Sequence, residues 1–206
     1  RSYQPNGGAF DDRYLFAGPS LREEPTAAEF PLPPADGRSL VYVSLGTVAS
    51  DNPTFYRAAL AALAERPWRA VVATGRTDPE ALGAVPPGIV ARPHVPQIAV
   101  LRHADLFVTH GGMNSTMEAL RLGVPLVVAP QMADQFLNAR RVAELGLGRS
   151  LEGVEPTPDA LLAAADAVLA DGRYRERVST LRDEMIRAGG AERAAAAIQE
   201  TALALR

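Results

Sequence analysis

The chain has 206 residues, 47% of them hydrophobic, which is enough to bury the core of one globular domain. Its formal net charge is −3 and its acidic residues are dispersed, so no basic stripe marks nucleic acid as a partner. Cysteine and lysine are both absent, which excludes disulfides, thiolate catalysis, a Walker lysine and Schiff-base chemistry. No apolar run reaches the roughly 18 to 20 residues that cross a bilayer, so we expect a cytoplasmic protein without a membrane partner.

The first 38 residues are rich in proline, glycine and charge, with one strand-like run at 14–19. They have neither an initiator Met nor a signal-like apolar core, so we expect a linker and a fragment of a longer protein. An ordinary exposed loop would have the same composition. We therefore predict a linker with a lead-in strand at 1–38 and one folded domain at 39–206.

Buried strands and helices alternate from residue 40 onwards. The run 40–45 is continuously apolar, as expected of a strand buried on both faces of a parallel sheet, and Gly46 and Thr47 follow at its carboxyl edge. The alternation predicts an α/β fold: a Rossmann-like open, mostly parallel sheet of about six strands with helices on both faces. The predicted strands are 40–45, 68–74, 89–91, 105–109, 126–129 and an edge strand at 147–151. The predicted helices are 54–65, 97–103, 114–122, 134–145, 157–170, 174–187 and 191–205.

A short loop, Pro93–Gln97, follows the third predicted strand. His94 in this loop is either a ligand contact or a solvent-exposed histidine. Gln97 is equally suited to contact a ligand and to cap the helix that it begins.

The segment between the fourth and fifth predicted strands has the strongest functional signature. Gly111 and Gly112 can take positive φ and carry no Cβ, which permits a sharp turn and a close approach of ligand to their amides. Asn114 and Ser115 follow at the predicted N-cap of the next helix. The helix dipole and unpaired N–H groups can then bind a phosphate without a lysine. A tight turn with a capped helix fits the same residues without any ligand.

Four more side chains belong to the same predicted edge. His110 directly precedes the glycine pair, and its ring can donate to a phosphate oxygen or to the backbone as a structural histidine. Glu118 lies one helical turn after Asn114, where its carboxylate can accept from the two neighbouring hydroxyls of a ribose. Asp134 and Gln135 open a helix at the carboxyl edge of the sheet, where open α/β folds bind ligands.

The order and spacing of these residues resemble the nucleotide-sugar signature of GT-B glycosyltransferases. The resemblance is strongest to the bacterial enzymes that glycosylate macrolides, enediynes and related natural products, and it covers nearly the whole chain. It implies the carboxyl-terminal, donor-binding half of a GT-B enzyme at 39–206, with 1–38 as the interdomain linker. The matching residues are His110-Gly111-Gly112, Asn114-Ser115, Glu118, Gly123-Val124-Pro125, Pro130, Asp134-Gln135 and Asn138.

The resemblance also implies a role for each candidate residue. His94 stands where the family typically has a Trp, whose larger ring would cover more of the nucleobase. The implied contacts are His94, Val95 and Gln97 with the nucleoside; Glu118 with the ribose; His110, Gly111, Gly112, Asn114 and Ser115 with the diphosphate; Thr47 with the diphosphate or sugar; and Asp134 and Gln135 with the sugar.

The implied reaction transfers a hexose from a UDP or TDP sugar to a hydroxyl of a small natural product, with inversion. In the family, the acceptor site and the general base, a histidine oriented by an aspartate, belong to the amino-terminal half. We therefore expect no catalytic residue in this chain and no turnover by the chain alone.

No metal or other cofactor is expected. The sequence has no Asp-x-Asp pair, and none of its three histidines has a partner at metal-ligand spacing. Two alternatives remain open. A GT-B sugar epimerase or hydrolase is disfavoured by the Asp134-Gln135 and Pro96-Gln97 pairs, whereas a non-catalytic binding or activator domain would accommodate His94.

Overall fold

The computed structural model describes residues 1–21, 30–48 and 50–204. The linker prediction for 22–29 and the last residue of the helix predicted at 191–205 lie outside these ranges. The described part contains a six-stranded sheet in which every pairing is parallel, with helices on both faces. The predicted Rossmann-like α/β fold is therefore confirmed.

The elements agree with the predicted ones to within a few residues. The strands are β1 Leu40–Ser44, β2 Arg69–Ala73, β3 Ile89–Arg92, β4 Leu106–Thr109, β5 Leu126–Val128 and β6 Gly148–Ser150. The α-helices are α1 Pro53–Ala64, α2 Gln97–Leu101, α3 Met113–Arg121, α4 Gln135–Glu144, α5 Pro158–Ala170, α6 Gly172–Arg187 and α7 Gly190–Ala204. Short 3-10 helices occupy Gly7–Ala9 and Pro79–Leu82.

The central strand β1 is buried along its whole length because both faces of the sheet are covered. Successive side chains of a strand point to opposite faces. Val41 and Val43 accordingly pack in the core that α1 and α5 cover, and Leu40 and Tyr42 pack in the core on the α3 and α6 side. A side-chain cap marks the start of α1, where the Asn52 carboxamide oxygen accepts a hydrogen bond from the Phe55 backbone amide at 3.0 Å.

The strand order β3-β2-β1-β4-β5-β6 places a topological switch between β1 and β4. From β1 the chain moves outward through β2 to β3, and from β4 it moves the other way through β5 to β6. Loops that follow β1 and β4 therefore leave the sheet in opposite directions and open a crevice at the carboxyl ends of the strands.

Three local predictions were wrong. The lead-in run 14–19 has no strand pairing; it instead lies along the junction of α6 and α7, where the Gly190 amide donates to the Ala17 carbonyl at 2.6 Å. Helix α2 ends at Leu101, two residues before the predicted end, and α3 begins at Met113 with Gly112 as its N-cap.

Among the described residues, no helix combines the length and the apolarity needed to span a membrane.

Candidate functional site

A cavity of about 670 Å³ lies at the carboxyl ends of β1 to β5, over the topological switch. Each of the five loops that leave these strands contributes to its wall. Of the twelve predicted site residues, the cavity brings together eleven, namely Thr47, His94, Val95, Gln97, His110, Gly112, Asn114, Ser115, Glu118, Asp134 and Gln135.

Gly111 lies behind the cavity wall, where it shapes the turn between β4 and α3. Its φ of +82° is a conformation that side chains with a Cβ rarely adopt, and a Cβ there would come within 2.6 Å of Val128 Cγ1. Its carbonyl accepts a hydrogen bond from Asn138 Nδ2 at 2.8 Å. Gly111 is therefore required by the backbone and by packing at this position.

Gly112 has an ordinary φ of −59° but is also confined by its neighbours. A Cβ at this position would overlap Nε2 of His110, so the absence of a side chain makes room for the imidazole. Because Gly112 is the N-cap, Asn114 and Ser115 lie inside the first turn of α3, and the prediction that they cap the helix was wrong. Their backbone amides are among the first four of the helix, which have no intrahelical acceptor.

His110 is half-buried beneath the loop that follows β1. The Gly46 backbone, at φ +73°, is so close that a Cβ there would lie 2.6 Å from His110 Cε1. Burial lowers the pKa of His110 from its ordinary 6.5, while a hydrogen bond with the Ser44 backbone and the Asp134 carboxylate oppose that change. The ring is therefore neutral at pH 7 and has a single N–H to donate.

Gln97 connects the loop after β3 to helix α3. Its Nε2 donates to Ser115 Oγ at 3.2 Å and to Glu118 Oε2 at 2.5 Å, and its Oε1 accepts from the Tyr42 hydroxyl at 3.2 Å. The predicted N-terminal cap role of Gln97 is not adopted, since Pro96 is the N-cap of α2 and makes no side-chain cap bond. Gln97 thus holds two polar side chains of α3 at the cavity surface.

The loop after β5 presents one exposed carboxylate and one restrained amide. Gln135 is buried, and its Oε1 accepts from the Gln131 amide at 2.8 Å and the Met132 amide at 3.1 Å, so its NH₂ end is the part directed to ligand contacts. Asp134 is exposed at the start of α4 and makes no cap bond. Ala133 adopts a strained φ of +50°, as often occurs at binding loops.

The rim opposite this loop is formed by the segments after β1 and β3. Thr47 and His94 are exposed, so both side chains can turn towards a ligand. Val95 is half-buried and packs against the core on the α3 side of the sheet. The exposed position of His94 leaves its imidazole face available for stacking.

Tyr42 and Arg76 are two of the cavity residues that the sequence-based prediction did not include. Tyr42 is an aromatic residue inside a continuous apolar strand, so its pattern predicts only core packing. Arg76 follows β2 at the same edge, and its Nη2 donates to the Val48 carbonyl at 3.3 Å. Its place directly after a buried strand was the signal that could have identified it. Among the described residues, Arg76 is the single arginine that lines the cavity, beside the carboxylates Glu118 and Asp134.

Within the described ranges, no three His, Asp or Glu side chains are grouped so that they could hold a metal ion. The prediction that no metal is required remains a prediction.

Comparison with known proteins identifies a family and relatives for this chain. Residues 57–200 match the family model described as erythromycin biosynthesis protein CIII-like, C-terminal domain. The chain is 46% identical to the NDP-glycosyltransferase YjiC of Bacillus subtilis (strain 168), over 97% of this chain and 51% of that protein. It is 41% identical to demethyllactenocin mycarosyltransferase of Streptomyces fradiae, over 97% of this chain and 43% of that protein.

Solved structures agree with these sequence relatives. The crystal structure of the kitacinnamycin glycotransferase superimposes with a TM-score of 0.87 at 38% identity and covers 97% of this chain and 52% of that chain. CalG4, the calicheamicin glycosyltransferase, gives a TM-score of 0.86 at 36% identity and covers 97% of this chain and 49% of that chain. The chain therefore spans about half the length of the relatives that it matches.

Proposed function

This chain belongs to the family of erythromycin biosynthesis protein CIII-like C-terminal domains, and from that membership we propose that it is the donor-binding half of a glycosyltransferase. The proposed donor is a hexose linked to UDP or TDP, and the proposed acceptor is a hydroxyl of a small natural product, bound by an amino-terminal half. The metal-independent reaction and a cytoplasmic location are part of this proposal.

One observation carries the proposal: three different kinds of polar group meet in a single cavity at the switch point. The carboxylate of Glu118, tied to Gln97, offers acceptors for a pair of ribose hydroxyls. The first-turn amides of α3 and its dipole offer donors for a diphosphate. The exposed carboxylate of Asp134, which accepts one long hydrogen bond from Asn138 Nδ2 at 3.4 Å, offers further acceptors for sugar hydroxyls. A nucleoside diphosphate sugar has these three groups in this order.

The chemistry follows from where charge develops. The acceptor oxygen forms a bond to the anomeric carbon from the face opposite the diphosphate, and the bond between that carbon and the diphosphate oxygen breaks with its electron pair. Negative charge on the departing diphosphate grows towards the transition state, and preorganised amides at Gly112 to Ser115 stabilise it there. The acceptor proton passes to a base that we place in the amino-terminal half.

The alternatives have less support. The relatives are named as transferases, and no finding favours the epimerase or the non-catalytic domain. His94 lines the cavity at the position where the family typically has a tryptophan. Its imidazole therefore still places an aromatic ring where the proposed nucleobase contact requires one.

Calorimetric titration of the chain with UDP, TDP and their glucose conjugates, with and without Mg²⁺, tests the proposal. We expect binding that does not depend on Mg²⁺. Glu118→Ala should weaken it about tenfold to hundredfold, because hydrogen bonds to a charged group contribute roughly 1.5–3 kcal/mol. Asp134→Ala should weaken binding of the sugar conjugates far more than binding of the free nucleotides.

Glu176→Ala is the matched control, since Glu176 is an exposed glutamate of α6 that does not line the cavity. It should bind as the unmodified chain does. Absence of binding to all four compounds, or equal losses in the Glu118 and Glu176 variants, would overturn the donor-binding proposal.

A further inference from the structure

Tyr42 places a hydroxyl group at the inner wall of the cavity from within the central strand. The side chain is 1% exposed, and its ring stacks on that of Phe107 with centroids 4.7 Å apart and planes 9° apart. The ring is thereby fixed between β1 and β4, and its hydroxyl reaches Gln97 Oε1 at 3.2 Å. Desolvation raises the pKa of Tyr42, so the hydroxyl keeps its proton at any physiological pH.

This proton determines which way the Gln97 carboxamide faces. A carboxamide has an acceptor end and a donor end of nearly the same shape. The Glu118 carboxylate only accepts, so a Gln97 rotated by half a turn would direct its Oε1 against a negative charge. In the observed orientation, the acceptor end meets a buried donor and the donor end meets both Ser115 and Glu118. Tyr42 and Glu118 therefore select the same orientation from opposite ends.

We propose that Tyr42 is a positioning residue of the donor site: acting through Gln97, its hydroxyl holds the Glu118 carboxylate in the position that binds the ribose hydroxyls of a nucleoside diphosphate. This inference rests on the proposed function and deepens it. Tyr42 does not touch the ribose in this scheme. It supplies one rigid hydrogen bond from the buried sheet, and three side chains of the cavity are ordered by it.

Tyr42→Phe removes the hydroxyl and keeps the ring. The loss of one hydrogen bond should weaken UDP binding by about two- to tenfold, as measured by calorimetry. Inorganic pyrophosphate, which has no ribose, should bind the variant and the unmodified chain equally. Tyr174→Phe is the control, because Tyr174 is a half-buried tyrosine of α6 that packs against the core on the opposite face of the sheet and does not line the cavity. It should leave the affinity for UDP unchanged.

A double-mutant cycle separates positioning from a general structural role. If Tyr42 acts through Gln97, Tyr42→Phe should have no further effect on UDP binding in a Gln97→Ala background. An equal loss in both backgrounds, or an equal loss for UDP and pyrophosphate, would overturn the inference. Unchanged UDP affinity in Tyr42→Phe would overturn it as well, while leaving the donor-binding proposal intact. No UDP binding by the unmodified chain would overturn both.

A measurement on the unmodified chain covers the case in which Tyr42→Phe does not fold. In nuclear magnetic resonance spectra, the Tyr42 hydroxyl proton should exchange slowly with water and show a cross-peak to the Gln97 side chain. Rapid exchange, without such a cross-peak, would contradict the proposed orientation.

Discussion

His110 is packed between Gly46 and Gly112, and this packing separates most of its imidazole from water. Because burial lowers its pKa below 6.5, the folded chain holds the neutral ring while the unfolded chain binds a proton as the pH falls through that value. The unfolded state then binds more protons than the folded state, so the contribution of His110 to stability is present above pH 6.5 and is lost below it.

His110→Gln should therefore flatten the pH dependence of stability. Urea unfolding of the unmodified chain at about pH 7.5 and about pH 5.5 should show a fall in the free energy of unfolding on the acid side, and the variant should show a smaller fall. The glutamine keeps a donor and an acceptor but does not titrate. Equal slopes for the two proteins would contradict the buried neutral imidazole.

Arg76 is the cationic side chain of the cavity, and its guanidinium already contacts the Val48 carbonyl across the loop after β1. With His110 neutral, this charge is the one most able to attract a diphosphate. Arg76→Gln should weaken UDP binding about two- to fivefold, a small effect because the side chain is exposed and screened by solvent.

The charge origin of that effect can be tested with salt. Affinity of the unmodified chain for UDP should fall as NaCl is raised, and the Arg76→Gln variant should show a shallower fall. Arg102→Gln, which removes an exposed arginine outside the cavity, should retain the original salt dependence. Parallel salt dependences for all three proteins would rule out a direct role for the Arg76 charge.

At the level of single elements, the turn between β4 and α3 marks how far local sequence reasoning extends. The glycine pair correctly predicted the turn, but it did not predict that the two glycines have different roles. Gly111 takes the positive φ, whereas Gly112 makes room for a ring. That difference depends on Val128 of the neighbouring strand β5 and on the orientation of the His110 ring, and the local sequence pattern shows neither. Helix α3 begins at Met113, so Asn114 and Ser115 lie in its first turn and not at the cap.

The side-chain network of Gln97 was beyond prediction for a related reason. The sequence identified Gln97 and Ser115 because each begins a helix at the carboxyl edge, and it identified Glu118 because it lies one helical turn after Asn114. Their hydrogen bonds depend on the distance between β3 and β4, which are separated in the sheet by β2 and β1. Tyr42 belongs to one of the strands between them, and its role becomes visible only from that strand order.

The edge strand β6 supplies a test at the scale of one element. Gly148 pairs with Leu126 of β5, and a Cβ at Gly148 would overlap the Leu126 backbone carbonyl. Since backbone in a sheet cannot move aside as a flexible side chain can, Gly148→Ala should cost about 1–3 kcal/mol of stability, measured by urea unfolding.

Gly172→Ala is the matched control, because a Cβ at the start of α6 meets nothing within 4 Å. Its stability should be unchanged or slightly higher, as alanine favours helix. A Gly148→Ala variant as stable as the unmodified chain would show that β5 and β6 can separate without cost.

At the scale of the whole molecule, alternation of buried strands and helices predicted the fold class, the number of strands and the edge of the sheet at which the cavity lies. It did not determine the strand order, because alternation of strands and helices is compatible with several doubly wound orders. No strand order was predicted from the sequence. The prediction of a lead-in strand was wrong for a reason at the same scale. The run 14–19 has strand-like residues, but its partners are the ends of α6 and α7, which lie more than 160 residues later in the chain.

The surface of the cavity also bears on whether the chain can transfer a sugar by itself. Its rim exposes the apolar side chains of Val48, Met113 and Met132, a surface suited to contact with another part of the protein. The relatives are about twice as long as this chain. An acceptor site and a base in that additional half would leave the chain able to bind donor but unable to transfer its sugar.

We expect the chain with UDP-glucose and a phenolic acceptor to form no glucoside above the uncatalysed background, although calorimetry detects donor binding in the same sample. Adding the amino-terminal half of the 46% identical Bacillus subtilis relative as a separate polypeptide should then restore transfer, because the proposed reaction takes its base from that half. A variant of the restored pair with Glu118→Ala should lose most of that transfer. Glucoside formation by the chain alone would contradict the division of donor binding and proton abstraction between two halves, and would direct the search for a base to the carboxylates and histidines of the cavity itself.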